Sequence, residues 1–245
     1  MRALAVLRAL GPIDAANVRR DPLLRWMLVL PLLFALLFRW LAALATPWLA
    51  RRFGVDLATY YPLLASFLVI MAPMVYGMVV GFLLLDQKDD GTLTALRVTP
   101  LTARGYLTYR IAIPVALGIV ITPVVLALSG FSSLSVEAQL LAGVAAAPFG
   151  PAFALFLAAF ARNKVQGFAL MKAAGVVNWP PVIAWFVGSS WQLAFGLCPT
   201  YWPVKFYWEL ETGGSEAWVY GVVGTLYVVA LILLLQRRFE RVVQA

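Results

Sequence analysis

YYPLLASFLVIMAPMVYGMVVGFLLL, the stretch at residues 60–85, contains 26 residues and no charged side chain. A helix needs about 20 consecutive apolar residues to cross the hydrocarbon core of a bilayer. Acidic residues bound the stretch on both sides, with Asp56 before it and Asp86 directly after it. The stretch therefore predicts a membrane-spanning helix with a polar loop at each end.

Further apolar segments of similar length precede and follow this one. They lie at residues 23–48, 106–128, 138–161, 167–188 and 216–235. Over the whole chain of 245 residues, 63% are apolar and 12% are charged, whereas a soluble domain has about half apolar and a quarter charged residues. We therefore predict an all-α integral membrane protein, with six transmembrane helices in a single transmembrane domain at residues 1–245.

Two shorter segments complete the predicted fold. Residues 1–20 place leucines on one face and arginines on the other, which is typical of an amphipathic helix in the membrane interface; a frayed basic tail is the alternative. Residues 189–215 are rich in Trp and Tyr, which favour the membrane surface, and Pro199 and Pro203 prevent one long helix there. This second segment predicts an aromatic belt, with a short re-entrant hairpin on the outer side.

The positive charges predict the orientation. Of the 19 Lys and Arg residues, 15 lie on one side of the six-span topology, together with both termini, and 3 lie on the other. Because cytoplasmic loops retain Lys and Arg, both termini are expected in the cytoplasm. The excess of Arg over Lys is typical of a GC-rich bacterium, and the expected location is a bacterial inner membrane. The positive residues are scattered between apolar blocks, so the net charge of +8 does not indicate nucleic-acid binding.

The residue inventory excludes several kinds of catalytic site. The chain has no histidine, which removes histidine metal sites and Ser–His nucleophiles. Cys198 is the only cysteine, so an intrachain disulfide is impossible. The phosphate-binding sequence Gly-x-x-x-x-Gly-Lys-Ser/Thr is also absent. We therefore predict that the chain is not an enzyme, binds no metal and has no cofactor of its own.

A polar segment at residues 86–104, DQKDDGTLTALRVTPLTAR, joins the second and third predicted spans on the cytoplasmic side. Gly91 interrupts the preceding helix, and Thr92 is a favourable N-cap for a short helix. A residue that precedes proline avoids helical geometry, so the short helix ends before Pro100. This predicts a helix across the cytoplasmic surface, with leucines on one face, that suits docking into a groove of a soluble partner.

This segment resembles the cytoplasmic loop of type-2 ATP-binding-cassette (ABC) exporter permeases. In that family an acidic pair precedes Gly-Thr-Leu-Glu, and Thr-Pro-Leu-Ser/Thr follows after a few apolar residues. The matching residues are Asp89, Gly91, Thr92, Leu93, Thr99, Pro100, Leu101 and Thr102. Gln87 and Thr94 stand where the family usually has acidic residues.

The resemblance extends over nearly the whole chain. Residues 17–37 resemble the segment that leads into the first span, residues 163–167 the second cytoplasmic loop, and residues 189–215 the place of short re-entrant helices. In the family, two six-span subunits form the channel and ATPase subunits grip their cytoplasmic loops. For this chain, the resemblance implies a separate ABC ATPase that binds ATP and a second permease chain, identical or related. The implied coupling residues are Asp89, Gly91, Thr92, Leu93, Leu96, Thr99, Pro100, Leu101, Arg162 and Lys164.

Two polar features inside predicted spans are candidates for the transport pathway. Arg39 lies in the outer half of the first span, where it either lines the pathway or snorkels to the outer interface. Asn178, Pro180 and Pro181 lie midway along the fifth span. Each proline removes a helical hydrogen bond, and irregular backbone at that depth must face protein or a cavity. These prolines therefore predict a kink that either faces the pathway or serves packing alone.

The predicted function is export of a hydrophobic or amphipathic substrate, such as a drug, an antibiotic or a lipid-like molecule. Small relatives in the resembling family are often linked to drug efflux, some to fluoroquinolones, which is an analogy. The alternative is a membrane-bound transferase that holds Mg²⁺ on Asp86, Asp89 and Asp90, although no second acidic cluster lies on that side. A membrane scaffold without transport is a third possibility, and ATPase stimulation would exclude it.

Overall fold

A computed structural model describes residues 3–91, 103–188 and 190–244 of the chain. Within these ranges, every regular element is a helix. In chain order the α-helices are α1 (Ala3–Arg20), α2 (Pro22–Phe53), α3 (Tyr61–Asp89), α4 (Ala103–Ser129), α5 (Val136–Ala146), α6 (Phe149–Phe160), α7 (Lys164–Ala174), α8 (Trp179–Trp185), α9 (Tyr201–Thr212) and α10 (Ala217–Gln244). Short 3₁₀ helices lie at Leu57–Tyr60, Gly175–Asn178 and Ser190–Leu197.

Five helical stretches in the described ranges are long and apolar enough to cross a membrane. They are Pro22–Phe53, Leu57–Asp89, Gly105–Ser129, Val136–Phe160 and Ala217–Arg241. The predicted all-α membrane class is therefore confirmed, and the first four predicted spans and the last one coincide with these stretches. The count of six is not confirmed.

The predicted fifth span, residues 167–188, is interrupted in the structure. Helix α7 ends at Ala174, a 3₁₀ turn at Gly175–Asn178 follows, and α8 then begins at Trp179. The two prolines predicted the irregular backbone here, because Pro181 has no N–H to donate to the carbonyl of Val177 four residues earlier. Neither half is long enough to count as a span.

The proline-interrupted helix is held by the segment that precedes α9. The Val177 carbonyl accepts hydrogen bonds from the Thr200 hydroxyl and, at 3.2 Å, from the Cys198 Sγ. A buried carbonyl without a partner would cost free energy, so these two side chains replace the backbone donor that Pro181 lacks. The contact fixes the 189–215 segment against the broken helix.

Helix α3 is the central element of the bundle. In its most apolar stretch 94% of the residues are buried, whereas only 22% are buried in the corresponding stretches of α2 and of α10. Helices α3 and α6 approach each other where Gly77 faces Gly150, because a Cβ added to Gly77 would lie 2.2 Å from the Gly150 carbonyl oxygen. Small residues that allow such close backbone packing are the usual basis of helix association in membranes.

The amphipathic first segment and the aromatic segment are both helical. Residues 1–20 contain α1, and residues 189–215 contain the 3₁₀ helix Ser190–Leu197 followed by α9. Helix α9 buries six of its side chains, including Tyr201 and Tyr207 with no exposed surface. The interfacial position of α1 and the re-entrant course of residues 189–215 stay predictions.

Candidate functional site

Four of the predicted coupling residues lie in the described ranges, all at one end of the bundle: Asp89, Gly91, Arg162 and Lys164. Helix α3 ends at Asp89, and Gly91 then adopts a left-handed backbone with φ of 67°. This conformation favours glycine, so the sequence correctly predicts a helix break at Gly91. Arg162 and Lys164 lie at the start of α7. The remaining predicted residues lie outside the described ranges: Thr92, Leu93, Leu96, Thr99, Pro100 and Leu101.

Lys164 connects three helices at this end. Its Nζ lies 2.7 Å from Asp21 Oδ2 and 3.0 Å from Asp86 Oδ2. Its backbone N–H also donates to Asp89 Oδ2 at 3.4 Å. Asp21 caps α2 by accepting hydrogen bonds from the backbone N–H of Leu23 and Leu24. One lysine therefore joins the beginning of α2, the end of α3 and the beginning of α7.

Lys164 and Asp21 are both in their charged forms at neutral pH. Burial alone would raise the pKa of Asp21, but the hydrogen bond from Lys164 and those from the backbone of α2 outweigh it, so the pKa is lowered. Burial alone would lower the pKa of Lys164, but hydrogen bonds to Asp21 and Asp86 raise it instead. The lysine and the capping carboxylate thus stabilise each other's charged forms.

Arg162 lies beside the end of α3. The residue before it, Ala161, accepts a hydrogen bond from Lys88 Nζ at 3.0 Å through its carbonyl. The backbone N–H of Arg162 donates to Gln166 Oε1 at 2.9 Å, and Asn163 caps the new helix through the N–H of Gln166. The two predicted cytoplasmic loops, which begin after α3 and after α6, are therefore in contact with each other.

A second ionic contact at this end was not predicted from the sequence. Arg110, on α4, is 2% exposed and pairs with Asp14 on α1, with Nη1 at 2.7 Å from Oδ2 and Nη2 at 3.1 Å from Oδ1. The Tyr109 hydroxyl also donates to Asp14 Oδ2, at 2.8 Å. Charged residues inside a span are expensive and need a partner. The position of Arg110 within the third predicted span therefore indicated that this residue would have a charged partner.

This contact also reaches the end of α3. The Tyr106 hydroxyl donates to Gln87 Oε1 and accepts from Arg110 Nε, the latter at 3.1 Å. Gln87 precedes residues 92–102, and Tyr106 follows them. The two helices that flank the predicted coupling loop are therefore linked to each other and, through Arg110 and Asp14, to α1.

Arg39 lies apart from the other pathway candidates. It is exposed, and its Nη1 donates to the Leu128 carbonyl at 3.3 Å in the last turn of α4. Carbonyls in the last turn of a helix have no partner within the helix, so Arg39 supplies one. This contact links α2 to α4, so the Arg39 side chain has a structural role.

Asn178 lies against the central helix. Its Nδ2 donates to Met74 Sδ at 3.6 Å on α3, while its Oδ1 is buried and has no hydrogen-bond partner in the structure. Pro181 beside it is buried and Pro180 is half-buried. A buried polar atom without a partner is unusual and needs an explanation. Asn178 is therefore the strongest of the pathway candidates, and no hydrogen bond in the described ranges joins it to Arg39.

The acidic residues at the end of α3 do not converge on one point. Asp86 is bound to Lys164, and Asp89 is near the backbone of the same residue. Within the described ranges, no group of three or more acidic, histidine or cysteine side chains could hold a metal ion. Occupation of Asp86 by a lysine weighs against the alternative of a Mg²⁺-dependent transferase.

Comparison with known proteins gives full-length matches. The family model for fluoroquinolones export permease protein Rv2686c-like matches residues 14–236. The chain is 37% identical over 242 residues to the fluoroquinolones export permease protein Rv2686c of Mycobacterium tuberculosis strain H37Rv, which covers 98% of this chain and 94% of that protein. The fluoroquinolones export permease protein MT2760 of strain CDC 1551 matches to the same extent. No solved structure matches the chain.

The match begins within α1 and ends within α10, so it includes both ionic contacts and the interrupted helix α7–α8. It confirms the resemblance to the drug and fluoroquinolone subset of export permeases. The chain therefore belongs to the Rv2686c-like family of fluoroquinolones export permeases.

Proposed function

We propose that the chain is the membrane-spanning subunit of an ABC exporter that removes amphipathic drugs from the cytoplasm or the inner leaflet. Fluoroquinolones are the substrate class in the names of its relatives. Hydrolysis of ATP belongs to a separate ATPase chain, because this sequence has no phosphate-binding loop. The chain itself is a transport subunit without covalent chemistry.

The observation that carries the proposal is the position of Lys164. Its side chain joins Asp21 at the start of α2 to Asp86 near the end of α3, three residues before the predicted docking residue Asp89, and its backbone N–H donates to Asp89 itself. An ATPase that moves residues 92–102 would therefore move α3 and, through Lys164, the first turn of α2 and of α7. The cluster is a direct mechanical link between the docking loop and the membrane helices.

The proposed topology has six spans and cytoplasmic termini in a bacterial inner membrane. Helices α7 and α8, with the 3₁₀ turn between them, form the fifth span. Together they contain about 22 residues and reach about 33 Å, which suffices for a hydrocarbon core of about 30 Å. Residues 189–215 then form the re-entrant segment on the outer side. This places Lys164 at the cytoplasmic end and Cys198 near the outer end.

The proposed assembly contains two permease chains and two ATPase subunits. Large faces of α2 and α10 stay exposed on the single chain, which leaves surface for lipid and for a second copy or a close relative. The pathway would then lie between permease chains, with Asn178, Pro180 and Pro181 facing it and Arg39 nearer the outer surface. Coupling would involve Asp89 to Leu101 together with Arg162 and Lys164.

Two variants at the docking loop test this function. Asp89→Lys reverses a charge at the docking surface, and Gly91→Pro removes the left-handed backbone that ends α3. Both variants are expected to insert normally but to lose ATP-dependent quinolone transport and substrate-stimulated ATP hydrolysis, measured with the partner ATPase in proteoliposomes. Glu137→Lys is the matched control, because Glu137 is exposed in the first turn of α5, at the end of the bundle opposite the docking loop.

Normal transport and normal stimulated hydrolysis in either docking variant would show that this loop is not where the ATPase binds. Loss of both activities in Glu137→Lys as well would attribute the effect to charge reversal in general rather than to docking.

A further inference from the structure

A cavity of about 440 Å³ separates α1 from the bundle. Its walls come from α1, α2, α3 and α4, and most of the lining is aliphatic, including Leu7, Val18, Leu28, Val79, Leu83 and Ile113. The volume lies within the range of about 300–1,000 Å³ that is usual for small-molecule sites. No residue of the proposed pathway lines this cavity, so it is distinct from the interrupted helix.

The polar side chains deep in the wall are already satisfied. The Asp14 carboxylate is neutralised by Arg110 and accepts a hydrogen bond from Tyr109. The Tyr76 hydroxyl donates to the Leu28 carbonyl at 3.0 Å. The interior of the cavity is therefore apolar and offers no free charge to a ligand.

The rim is cationic. Arg19, in the last turn of α1, and Arg25, in the first turn of α2, both line the cavity and are exposed. In the part of the chain that the structure describes, neither side chain makes a hydrogen bond or an ion pair. Two uncompensated guanidinium groups thus lie at the mouth of an apolar space, which fits an amphiphile with an anionic head and an apolar body.

The depth of the cavity matches one leaflet. Leu83 and Tyr76 precede the end of α3 at Asp89 by six and thirteen residues, which is about 9 and 20 Å along a helix. The cavity therefore begins near the membrane surface, where Arg19 and Arg25 lie, and reaches roughly the middle of a hydrocarbon core of about 30 Å. A lipid acyl chain that enters between α1 and α3 would keep its head group at the two arginines.

We propose that this cavity is a binding site for an anionic phospholipid of the cytoplasmic leaflet, with its phosphate on Arg19 and Arg25 and an acyl chain between α1 and α3. Basic pockets between membrane helices on the cytoplasmic side bind anionic head groups in this manner. Because Asp14 fixes α1 to α4, a bound lipid would stabilise α1 against the two helices that flank the docking loop. The assignment to the cytoplasmic leaflet rests on the orientation in the proposed function.

The experiment measures lipid binding to the purified full-length chain, delipidated in mild detergent, by native mass spectrometry. Phosphatidylglycerol is expected to bind more tightly than phosphatidylcholine with the same acyl chains. The double variant Arg19→Gln/Arg25→Gln should weaken phosphatidylglycerol binding about tenfold and phosphatidylcholine binding much less, because the choline cation already neutralises the phosphate of that lipid. Arg20→Gln is the matched control, since Arg20 is exposed on the same helix and does not line the cavity.

A second variant blocks the acyl chain and keeps both charges. Gly11 lines the cavity, and a Cβ placed there would meet only Leu7 Cδ1, at 3.9 Å. Gly11→Phe can therefore fold normally while it fills the space, and it should weaken phosphatidylglycerol binding although both arginines are present. Folding of each variant is checked by its thermal unfolding midpoint.

Three results would overturn the proposal. The first is phosphatidylglycerol binding that survives both variants, and the second is an equal loss in Arg20→Gln, which would indicate general surface charge. The third concerns a quinolone as the ligand. If the two variants lose binding of the quinolone carboxylate but keep binding of its methyl ester and of lipid, the cavity is a substrate site. Binding in detergent needs no ATPase and no transport, so its failure leaves the export function standing, and failed export leaves lipid binding standing.

Discussion

The two ends of the bundle are held together by different kinds of contact. At the predicted cytoplasmic end, ion pairs join residues that are far apart in the chain, such as Lys164 with Asp21 and Arg110 with Asp14. At the predicted outer end, the Glu211 carboxylate accepts hydrogen bonds from Ser132, Ser133 and Tyr207, and α9 packs its aromatic side chains into the bundle.

The difference indicates which end of the bundle can move at a low cost in free energy. A partly exposed ion pair contributes little to stability and can exchange partners, and Lys164 already has two carboxylates within reach. Packed aromatic side chains without exposed surface have no such alternatives, because protein interiors are close-packed. We therefore expect motion at the Lys164 cluster and a fixed position for α9 at the outer end.

Removal of one partner from the buried pair is expected to give the largest effect. Arg110→Met leaves Asp14, which is 13% exposed, without a counter-charge, and should lower the free energy of unfolding by about 3–5 kcal/mol. Unfolding of the purified protein in detergent measures the change. The double variant Asp14→Leu/Arg110→Met removes both charges and should recover most of the loss. An equal loss in the single and the double variant would show that the pair is not the cause.

Loss of the outer carboxylate should have an intermediate effect. Glu211→Gln converts a charged acceptor of several hydrogen bonds into a neutral amide and should destabilise the protein by about 1–3 kcal/mol. Glu137→Gln is the control, since Glu137 is exposed near the same end. If both variants unfold at the temperature of the wild type, Glu211 does not hold α9 to the loop between α4 and α5.

The Lys164 cluster should contribute least to stability and most to transport. Lys164→Met is expected to cost about 1 kcal/mol. ATP-driven transport should fall sharply, because the ionic link between the first turn of α2 and the end of α3 is lost. Lys172→Met, at an exposed position on the same helix, is the control. A stability loss as large as that of Arg110→Met, with transport intact, would reverse the comparison between the two ionic contacts.

The stability contribution of this cluster also depends on pH. Asp21 has a lowered pKa, so its contribution is present above the ordinary value of 3.8 and is lost as the pH falls through the lowered pKa. Lys164 has a raised pKa, so its contribution is present below the ordinary value of 10.5 and is lost as the pH rises through the raised pKa. The difference in unfolding free energy between wild type and Lys164→Met should therefore be constant near neutrality and shrink at both extremes.

The smallest effect is expected at Cys198, which tests the topology. It is the only thiol of the chain and is half-buried, with Sγ 3.2 Å from both the Val177 carbonyl and Thr200 Oγ1. A membrane-impermeant maleimide should label it slowly in intact cells, and faster after mild loosening of the packing. Labelling that occurs only in inverted vesicles would contradict the six-span orientation.

The sequence predicts the spans and the helix breaks because these depend on local composition. The apolar run at residues 60–85 is by its length alone sufficient to cross a bilayer. Pro180 and Pro181 have no backbone N–H, so they cannot donate the hydrogen bonds that would continue α7. The central position of α3 is consistent with that run, because an uncharged helix that is apolar on all sides tolerates burial in protein.

The contacts at the coupling end could not be predicted in the same way. Lys164 and Asp21 are separated by 143 positions in the chain, so their pairing depends on how α2, α3 and α7 pack. Arg110 gave a partial signal, because a charge inside a span needs a partner, but the sequence does not say which of several carboxylates supplies it. Six of the ten predicted coupling residues lie in the range 92–102, outside the described residues, and stay predictions.

We propose that this chain exports its substrate only with an ATPase partner. The direct measurement is quinolone uptake into inverted vesicles that contain the purified chain alone, the ATPase alone, or both, with ATP or a non-hydrolysable analogue. We expect uptake only with both chains and hydrolysable ATP, and loss of that uptake in Asp89→Lys. Uptake by this chain alone, driven by an ion gradient and unaffected by Asp89→Lys, would contradict export driven by a partner ATPase.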